Sequence, residues 1–463
     1  MIDGLRPYAE MKPTGLPWLG DVPAHWDVRR NGRLFAARRQ TGFPNLPILE
    51  VSIRSGVRVR DFDNGGRKQE IADRSKYQRA VKGDIAYNMM RMWQGAVGIA
   101  PVDGLVSPAY VVARPFDETD AAYYAYLFRT ATYMREIDVF SRGIVPDRNR
   151  LYWESFKQMP SVYPPLEEQC LVVRFLDWHG GQVARLVRAK KALIGLLNEQ
   201  KQAIIHRAVT RGLDTNANLK PSGIPWLGDV PEGWEVKKLK YLVRFNNGLA
   251  FKPSDWSSSG IPIIRIQNLN GSETFNYTTK TGLPEDLLIT KGDIVFSWSG
   301  NIGTSFGPFV WERDFDGYLN QHIFKLEKIG AHRQYFYYVL KAVTKNVEEN
   351  THGIIGLVHI TKPELGSISV PLAPVDEQIA IANWLDEQLE GLNGIIERAQ
   401  REIALIQEFR TRMIADVVTG KLDVRALAAS LPETAAQEAT LDQSDDEDMD
   451  ELPDDLEPEE AAA

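Results

Sequence analysis

The segment KPTGLPWLGDVPAHWDVRR, from Lys12 to Arg30, recurs 208 residues later as KPSGIPWLGDVPEGWEVKK, from Lys220 to Lys238. Of the 19 aligned positions, 12 are identical and most of the others are conservative. A match of this length within one chain indicates an internal repeat. The sequence therefore predicts two similar domains that do related work at two places.

The repeat extends well beyond this segment. KGDI at Lys82 returns at Lys291, and PPLEEQ at Pro164 matches APVDEQ at Ala373, each 209 residues later. The residues between these motifs differ in the two copies. The variable stretches are 31–81, 99–163, 239–290 and 304–370. A fixed frame with variable inserts predicts one fold that carries two different binding surfaces.

The composition is typical of a soluble chain with more than one core. At 463 residues and 43% apolar content, the chain can bury two or more hydrophobic cores. Its one cysteine, Cys170, excludes an internal disulfide, and no apolar run reaches the length of a membrane span. The N-terminus MIDGLRPYAE lacks the basic and apolar pattern of a signal peptide. We therefore expect a cytoplasmic protein.

The charge is divided unevenly along the chain. Residues 432–463 hold 14 acidic residues and no Lys or Arg, whereas residues 1–431 hold 54 basic and 48 acidic residues, a net charge of +6. The overall net charge of −8 therefore hides a mildly basic body, which is compatible with binding to nucleic acid. The acidic composition predicts a disordered tail. A solubilising role is favoured for it, and a DNA mimic or a hook for a partner is the alternative.

A long helical pattern follows PPLEEQ and APVDEQ. Apolar residues at heptad spacing predict spacer helix 1 at 167–212 and spacer helix 2 at 376–422. Each stripe is narrow and needs a partner, and the other copy's helix is favoured over the helix's own domain. The second domain joins the end of the first helix to the start of the second, so this pair must be antiparallel. The same connectivity places residues 421–424 near the first PWLGDVP segment.

These patterns predict an α+β fold with two similar globular domains, at 1–166 and 213–375. An antiparallel pair of long helices is expected to separate them with pseudo-twofold symmetry. Short apolar runs bounded by Gly, Pro, Asn and Asp predict the strands of each domain. Aromatic residues at helical spacing in 121–139 and 333–347 predict core helices rather than surfaces for base stacking. The acidic tail is predicted at 423–463.

No catalytic signature appears in the sequence. The chain has no G-x-x-x-x-G-K-[ST] phosphate loop, no GxGxxG after a strand, no H-E-x-x-H and no C-x-x-C. The N/D-P-P-Y/F box of an amino-methyltransferase is also missing. These sequence absences favour a recognition subunit over an enzyme. A site-specific nuclease built from scattered carboxylates and a scaffold that only holds partner proteins are the two alternatives.

The order of these motifs resembles the specificity subunits of type I restriction-modification systems. The resemblance rests on the doubled PWLGDVP segment with its following Trp, the KGDI strand with its Gly-rich turn, and PPLEEQ or APVDEQ before a long helix that ends near TRGLD or TGKLD. It implies two target recognition domains, each reading one half of a split DNA sequence. The different inserts of the two copies predict that the two halves differ, so that the target is asymmetric. The resemblance also implies that the chain has no catalytic residue and no metal of its own.

The resemblance further implies partners. Two modification subunits, which form an adenine methyltransferase, are expected to dock on the long helices. Two restriction subunits are expected to add ATP-driven translocation and cleavage. S-adenosylmethionine, ATP and Mg2+ are then expected in those partner subunits, and this chain is expected to bind double-stranded DNA without a cofactor or a membrane.

Candidate DNA contacts are side chains in the repeat, because Arg, Asn, Gln and carboxylates read base edges and Lys, Arg and Ser hold phosphates. In the first copy, Arg54, Arg58 and Arg60 alternate, so a strand is expected to show all three on one face. The other candidates of the first copy are Arg91, Gln94, Arg142 and Arg148. The candidates of the second copy are Arg265, Gln267, Asn268, Asn270, Ser297, Ser299, Asn301, Gln321, His322 and His352.

Overall fold

The computed structural model describes residues 5–60, 74–143, 149–350 and 357–431. The chain forms two compact units. Unit 1 comprises residues 1–191 and 400–463, and unit 2 comprises residues 192–399. The candidates Arg148 and His352 and the acidic residues beyond 431 lie outside the described residues. The domain limits drawn from the sequence stay a prediction.

Unit 1 contains short strands. They are β1 (Met11–Pro13), β2 (Asp21–Pro23), β3 (Asp27–Arg30), β4 (Phe35–Ala37), β5 (Leu49–Ser52), β6 (Gly56–Val59), β7 (Gln78–Ala80), β8 (Ile85–Asn88), β9 (Val97–Ile99), β10 (Gly104–Val106), β11 (Tyr110–Pro115) and β12 (Pro160–Tyr163). A four-stranded antiparallel sheet has the order β4-β11-β8-β9. The KGDI motif leads into β8, where Ile85, Ala86 and Tyr87 are fully buried. The remaining strands pair as β1–β2, β3–β12, β5–β6 and β7–β10.

The helices that begin in unit 1 are α1 (Ala121–Phe128), α2 (Ala131–Phe140), α3 (Trp153–Phe156) and α4 (Leu166–Arg211). Asp120 caps α1, because its carboxylate accepts the N–H groups of Ala122 and Tyr123 at 2.7 and 3.3 Å. Tyr123 and Tyr124 are fully buried. The aromatic stripe at 121–139 is therefore core, as the helical spacing predicted.

Unit 2 repeats this plan. Its strands are β13 (Leu219–Pro221), β14 (Asp229–Pro231), β15 (Glu235–Lys238), β16 (Arg244–Asn247), β17 (Ile261–Ile264), β18 (Asn276–Thr278), β19 (Leu288–Ile289), β20 (Ile294–Ser297), β21 (Ser299–Asn301), β22 (Gly307–Val310), β23 (Gly317–Leu319), β24 (Ile323–Glu327), β25 (Leu357–His359) and β26 (Ser369–Leu372). The sheet β16-β24-β20-β22 matches the four-stranded sheet of unit 1 in order and direction. A second sheet, β18-β17-β23-β19, contains the parallel pair β17–β23.

The remaining helices are α5 (Ile266–Leu269), α6 (Arg333–Asn350), α7 (Lys362–Ser367), α8 (Val375–Val418) and α9 (Arg425–Ser430). In unit 2, Tyr335, Phe336 and Leu340 of α6 are buried, so the second aromatic stripe is also core. In the described part of the chain, no helix is both long enough and apolar enough to cross a membrane.

Parts of the two long helices pack together inside unit 1. His179 of α4 contacts Phe409 of α8, with ring centroids 6.0 Å apart. Further along α4, the Lys190 ammonium lies 2.5 Å from the Glu402 carboxylate of α8. The contact position moves forward along α4 while it moves backward along α8. The two segments are therefore antiparallel.

The same direction holds inside unit 2. The Lys201 ammonium of α4 donates to the Asn393 side chain of α8 at 2.5 Å. Val209, eight residues later in α4, shares a hydrophobic core with Leu385 and Ile381, which lie earlier in α8. The predicted antiparallel pairing of the long helices is confirmed.

The motif at the start of each long helix makes the same contact in both units. In unit 1, the Asp120 N–H donates to the side-chain oxygen of Gln169 at 2.9 Å. In unit 2, the His332 N–H donates to the side-chain oxygen of Gln378 at 2.6 Å. Both glutamines are buried. The repeated EEQ and DEQ triplets thus join each long helix to the start of α1 or α6.

Glycines end both long helices. Gly212 and Gly420 have φ values of +73° and +75°, a conformation that favours glycine. In unit 1, a Cβ on Gly420 would lie only 2.3 Å from the Pro23 ring and 2.9 Å from the Trp26 ring. The Asp423 N–H, just beyond, donates to the Arg6 carbonyl at 2.8 Å. Residues 421–424 therefore lie beside the first PWLGDVP segment, as predicted.

Candidate nucleic-acid interface

The expected strand with Arg54, Arg58 and Arg60 on one face is only partly present. Arg54 lies in the turn between β5 and β6, because β6 begins at Gly56, where φ is +75°. Arg58 is on β6 and Arg60 follows it, and both guanidinium groups face Glu50, at 2.5 and 4.0 Å. The carboxylate of Glu50 partly neutralises these two arginines. The prediction that one strand displays all three is therefore wrong for Arg54.

A residue outside the candidate set holds the Arg54 turn. The Arg129 guanidinium, which follows α1, donates to the carbonyl of Ile53 at 2.8 Å and to the carbonyl of Arg54. The Ser52 hydroxyl accepts the Arg54 N–H at 3.1 Å. The Arg54 side chain is exposed. Arg129 thus fixes the backbone that presents Arg54, and only the folded chain reveals the link.

Arg91 and Gln94 lie in the loop that follows β8, and both are exposed. This loop closes at Gly95, which has a φ of +95°. A Cβ on Gly95 would lie 3.2 Å from Met134 of α2 and 4.0 Å from the Ile53 carbonyl. The loop therefore lies against α2 and next to the turn that carries Arg54.

A third basic segment adjoins this loop. The backbones of Arg142 and Arg150 form an antiparallel bridge, with both N–H groups donating at 3.0 Å, and both residues are exposed. The Leu151 N–H then donates to the Met89 carbonyl at 2.8 Å. Arg150 was missed as a candidate, although it ends the same SRGIVPDRNR stretch. We call the segments that carry Arg54, Arg91, Arg142 and Arg150 the basic loops of unit 1.

In unit 2, the candidates around α5 divide into two kinds. Gln267 and Asn270 are exposed. Asn268 is buried, and its amide accepts the Arg265 N–H at 2.9 Å and donates to two backbone carbonyls at 3.2 and 2.9 Å. Its hydrogen bonds therefore close the loop, and its side chain is not accessible to a base edge. Arg265 is half-buried and donates to the Asn276 side chain at 3.2 Å.

The candidates around β20 and β21 divide in the same way. Ser297 is fully buried, and its hydroxyl donates to the Ser299 carbonyl at 3.0 Å, so it serves the fold. Ser299 is half-buried and Asn301 is exposed at the end of β21. Ser299 pairs with His359 of β25.

Gln321 and His322 belong to a cluster around Trp298. The Trp298 ring lies 4.9 Å from the His322 ring and 4.8 Å from the His359 ring, and its indole N–H donates to the Gln321 carbonyl at 3.1 Å. Burial and then the neighbouring His359 lower the pKa of the His322 imidazole, which favours the neutral form of this ring. Trp298 and His359 were missed because they are distant in sequence and meet only in the fold.

Backbone hydrogen bonds connect the segment that precedes Arg265 to the segment that precedes Gln321 of this cluster. The Asn320 N–H donates to the Ile264 carbonyl at 2.9 Å, and Ile264 pairs with Leu319 across β17 and β23. Arg265 and Gln321 therefore follow two backbone segments that are hydrogen bonded to each other. Unit 2 thus presents amide, imidazole and indole groups together.

The charge of the two units differs. Unit 1 has 34 basic and 25 acidic residues when the tail beyond 431 is left out, a net charge of +9. Unit 2 has 20 basic and 23 acidic residues, a net charge of −3. Among the described residues, no group of three or more His, Cys, Asp and Glu side chains is placed to hold a metal ion.

Residues 231–405 match the family model of the type I restriction modification DNA specificity domain. The chain is similar to the specificity subunits of type I restriction-modification systems. It is 29% identical to the MjaVIII specificity subunit of Methanocaldococcus jannaschii over 287 residues, which is 59% of this chain and 64% of that protein. It is 24% identical over 431 residues to the putative MjaX specificity subunit of the same organism, covering 88% of this chain and 96% of that protein.

A solved structure on complex assembly and conformational transition of the type I R-M system has the same fold. The TM-score is 0.59 at 15% identity, and the match covers 86% of this chain and 98% of that chain. The predicted α+β fold is confirmed, and the similarity to specificity subunits agrees with the predicted family. The relatives named here are specificity subunits, which agrees with the prediction of a recognition subunit.

Proposed function

We propose that this specificity subunit recognises a bipartite, asymmetric DNA sequence, with unit 1 reading one half and unit 2 the other. One observation carries this proposal: a duplicated frame presents variable loops of different chemistry in its two copies. Unit 1 offers exposed arginines, whereas unit 2 offers amides and imidazoles. Two reading surfaces of different chemistry favour two different half-sites.

The chemistry of each surface favours different base contacts. Arginine donates in pairs to the O6 and N7 atoms of guanine, and its charge also binds phosphates. Glutamine and asparagine pair with the N6 and N7 atoms of adenine. The exposed Arg91 therefore suits a guanine-containing half and the exposed Arg142 suits a phosphate, whereas the exposed Gln267, Asn270 and Gln321 suit a half that contains adenine.

The proposal assigns catalysis to partner subunits. Two modification subunits dock on the long helices α4 and α8, and two restriction subunits join the complex. S-adenosylmethionine, ATP and Mg2+ belong to those partners. The exposed apolar residues Leu186, Leu193 and Leu196 of α4 and Leu405 of α8 are surfaces that a partner helix can cover.

Methylome sequencing of cells that express the chain with its modification subunit tests the proposal. The expected result is one methylated motif with two defined halves of different sequence around an undefined gap. Exchanging residues 239–290 and 304–370 for those of a homologous chain should alter one half only. A continuous motif, or a change in both halves after the exchange, contradicts the assignment of one half to each unit.

A further inference from the structure

We propose that the acidic tail, residues 432–463, binds the basic loops of unit 1 and competes with DNA for them. This inference rests on the proposed function, because it identifies those loops as the DNA surface. The occupant is a segment of this same chain, and its target is unit 1 rather than unit 2. Three observations support this choice. They are the place where the described chain ends, the charge of each unit and the length of the tail.

The described chain ends on unit 1. Val424 and Ala428 of the α9 region are fully buried in the hydrophobic core of unit 1. The Arg174 guanidinium of α4 donates to the carbonyl of Leu431, the last described residue. These contacts anchor the point from which the tail departs. The tail is therefore tethered to the unit whose surface it is proposed to bind.

Charge selects the same unit. The tail carries a net charge of −14, and 12 of its acidic residues fall within residues 442–460. Unit 1 without the tail carries +9, whereas unit 2 carries −3. A polyanion of this density is attracted to unit 1 and repelled on average by unit 2. Its closely spaced carboxylates resemble the repeated negative charges of a DNA strand.

Several basic loops remain open to an anion. In unit 1, Arg38, Arg58 and Arg79 have carboxylate partners at 2.5, 2.5 and 2.7 Å. Three exposed arginines of the basic loops, Arg91, Arg142 and Arg150, have no carboxylate partner within the part of the chain that the structure describes. They are therefore the groups that the tail carboxylates can pair with.

The tail is long enough to reach them. A chain of 32 residues spans at most about 110 Å when fully extended. A compact unit of the size of unit 1 has a radius of gyration of about 17 Å, or roughly 45 Å across. Every surface of unit 1 is therefore within reach of Leu431. Tethering raises the local concentration of the tail to the order of millimolar, so weak pairing suffices for competition.

Competition of this kind lowers the affinity for all DNA, but its effect is seen mainly on duplexes that lack the recognised sequence. A non-specific duplex gains only phosphate contacts, which the tail carboxylates can replace. A cognate half-site adds base contacts that the tail cannot imitate. The tail therefore weakens non-specific binding more visibly at working concentrations, where specific binding is already saturated.

A charge-neutral tail tests the proposal in the full chain. In this variant, all 14 tail carboxylates are replaced by Asn or Gln, with the length unchanged. Its affinity for a non-specific duplex should rise about tenfold at low salt, and its salt dependence should become steeper, because competition no longer offsets counterion release. The two proteins should converge at high salt. A matched control has the same tail residues in scrambled order and should bind like the wild type.

Cross-linking without DNA locates the tail independently of any DNA affinity. A photo-reactive amino acid at Met449 should form adducts with unit 1 peptides that contain Arg91, Arg142 or Arg150. Added duplex should suppress these adducts. Adducts on unit 2, or equal DNA affinity of the neutral and wild-type tails, overturn the inference while leaving the proposed function intact. Failure of both proteins to bind DNA, with adducts unaffected by duplex, overturns the proposed function instead.

Discussion

Unit 1 and unit 2 share their internal contacts but not their surface chemistry. The Tyr126 hydroxyl donates to Asp177 of α4 at 2.7 Å, and the Tyr338 hydroxyl donates to Asp386 of α8 at 2.5 Å. The duplicated residues thus hold a core helix against a long helix in each unit. The loops that follow β8 and β20 have instead diverged. The comparison separates residues retained for packing from residues free to change for recognition.

The difference in charge suggests that the two units contribute differently to binding. Unit 1, with a net charge of +9, attracts any duplex through its phosphates, and this attraction weakens with salt. Unit 2, with −3, gains little from phosphates and must rely on direct contacts to bases. We therefore expect unit 1 to dominate affinity and salt dependence, and unit 2 to dominate discrimination in its own half-site.

The largest effect on stability is expected at Gly420, the glycine that ends α8 and packs closely against Pro23. In unit 1, Gly420→Ala places a methyl group 2.3 Å from the Pro23 ring at a φ of +75°. In unit 2, the equivalent Gly212→Ala has a φ of +73°, but its nearest neighbour, Trp234, lies at 3.2 Å. We expect Gly420→Ala to lower the free energy of unfolding by about 3–5 kcal/mol and Gly212→Ala by about 1–2 kcal/mol.

Hydrogen exchange read by mass spectrometry under increasing denaturant measures each unit separately. Gly195→Ala is the matched control, because Gly195 is helical and a Cβ there meets no atom within 4 Å. This control should be neutral or stabilising by up to about 1 kcal/mol. Equal losses for Gly420→Ala and Gly212→Ala would show that the close approach to Pro23 does not lower the stability of unit 1, and that the ends of the two long helices are packed alike.

The parts of the fold that follow from backbone chemistry and connectivity were predictable. Gly212 and Gly420 are helix stops because only glycine adopts a positive φ cheaply. The antiparallel direction of α4 and α8 follows from the chain path. Arg54 was misplaced because the Ser55-Gly56 turn signal was read as part of a strand.

The site was predictable only in part, because polar residues in a variable loop serve two purposes. Asn268 and Ser297 were chosen as polar candidates, but both are buried and satisfy backbone groups. Sequence does not distinguish an amide that closes its own loop from one that faces a ligand. Trp298 and His359 were overlooked since they meet only when β21 pairs with β25.

A paired substitution tests the division of labour between the units. Arg142→Ala in unit 1 should weaken binding to every duplex by about 1–2 kcal/mol and reduce the salt slope by about one, because a phosphate contact is lost. Gln321→Ala in unit 2 should leave the salt slope unchanged and relax the preference at one position of its half-site, by about 1–3 kcal/mol.

Titrations of fluorescent duplexes between low and high salt measure both quantities. Arg135→Ala is a suitable control for Arg142→Ala, because Arg135 is an exposed arginine of α2 outside the basic loops. It should change the salt slope less than Arg142→Ala does. If Gln321→Ala changes the salt slope as much as Arg142→Ala, the contrast between a charge-driven unit and a contact-driven unit is wrong.

The smallest effect is expected from pH, and it sharpens the comparison because His179 in unit 1 and His322 in unit 2 both have a lowered pKa. Burial and then Arg410 lower the pKa of His179 in unit 1, and burial and then His359 lower the pKa of His322 in unit 2. The unfolded chain therefore binds more protons than the folded chain between the lowered pKa and about 6.5. Stability should fall as pH drops through this window and level off below it.

His179→Gln should flatten this dependence in unit 1 only, and His322→Gln should flatten it in unit 2 only. Hydrogen exchange of peptides from each unit, corrected for the intrinsic pH dependence of exchange, gives the two readouts in one experiment. The change should be smaller in unit 2, because His322 lies in a more open setting beside Gln321, whereas His179 is 8% exposed and packs between Phe175 and Phe409. An equal or larger change in unit 2 would mean that the Trp298 cluster is more enclosed than the exposed residues around it imply, and its place in an open DNA-reading surface would have to be abandoned.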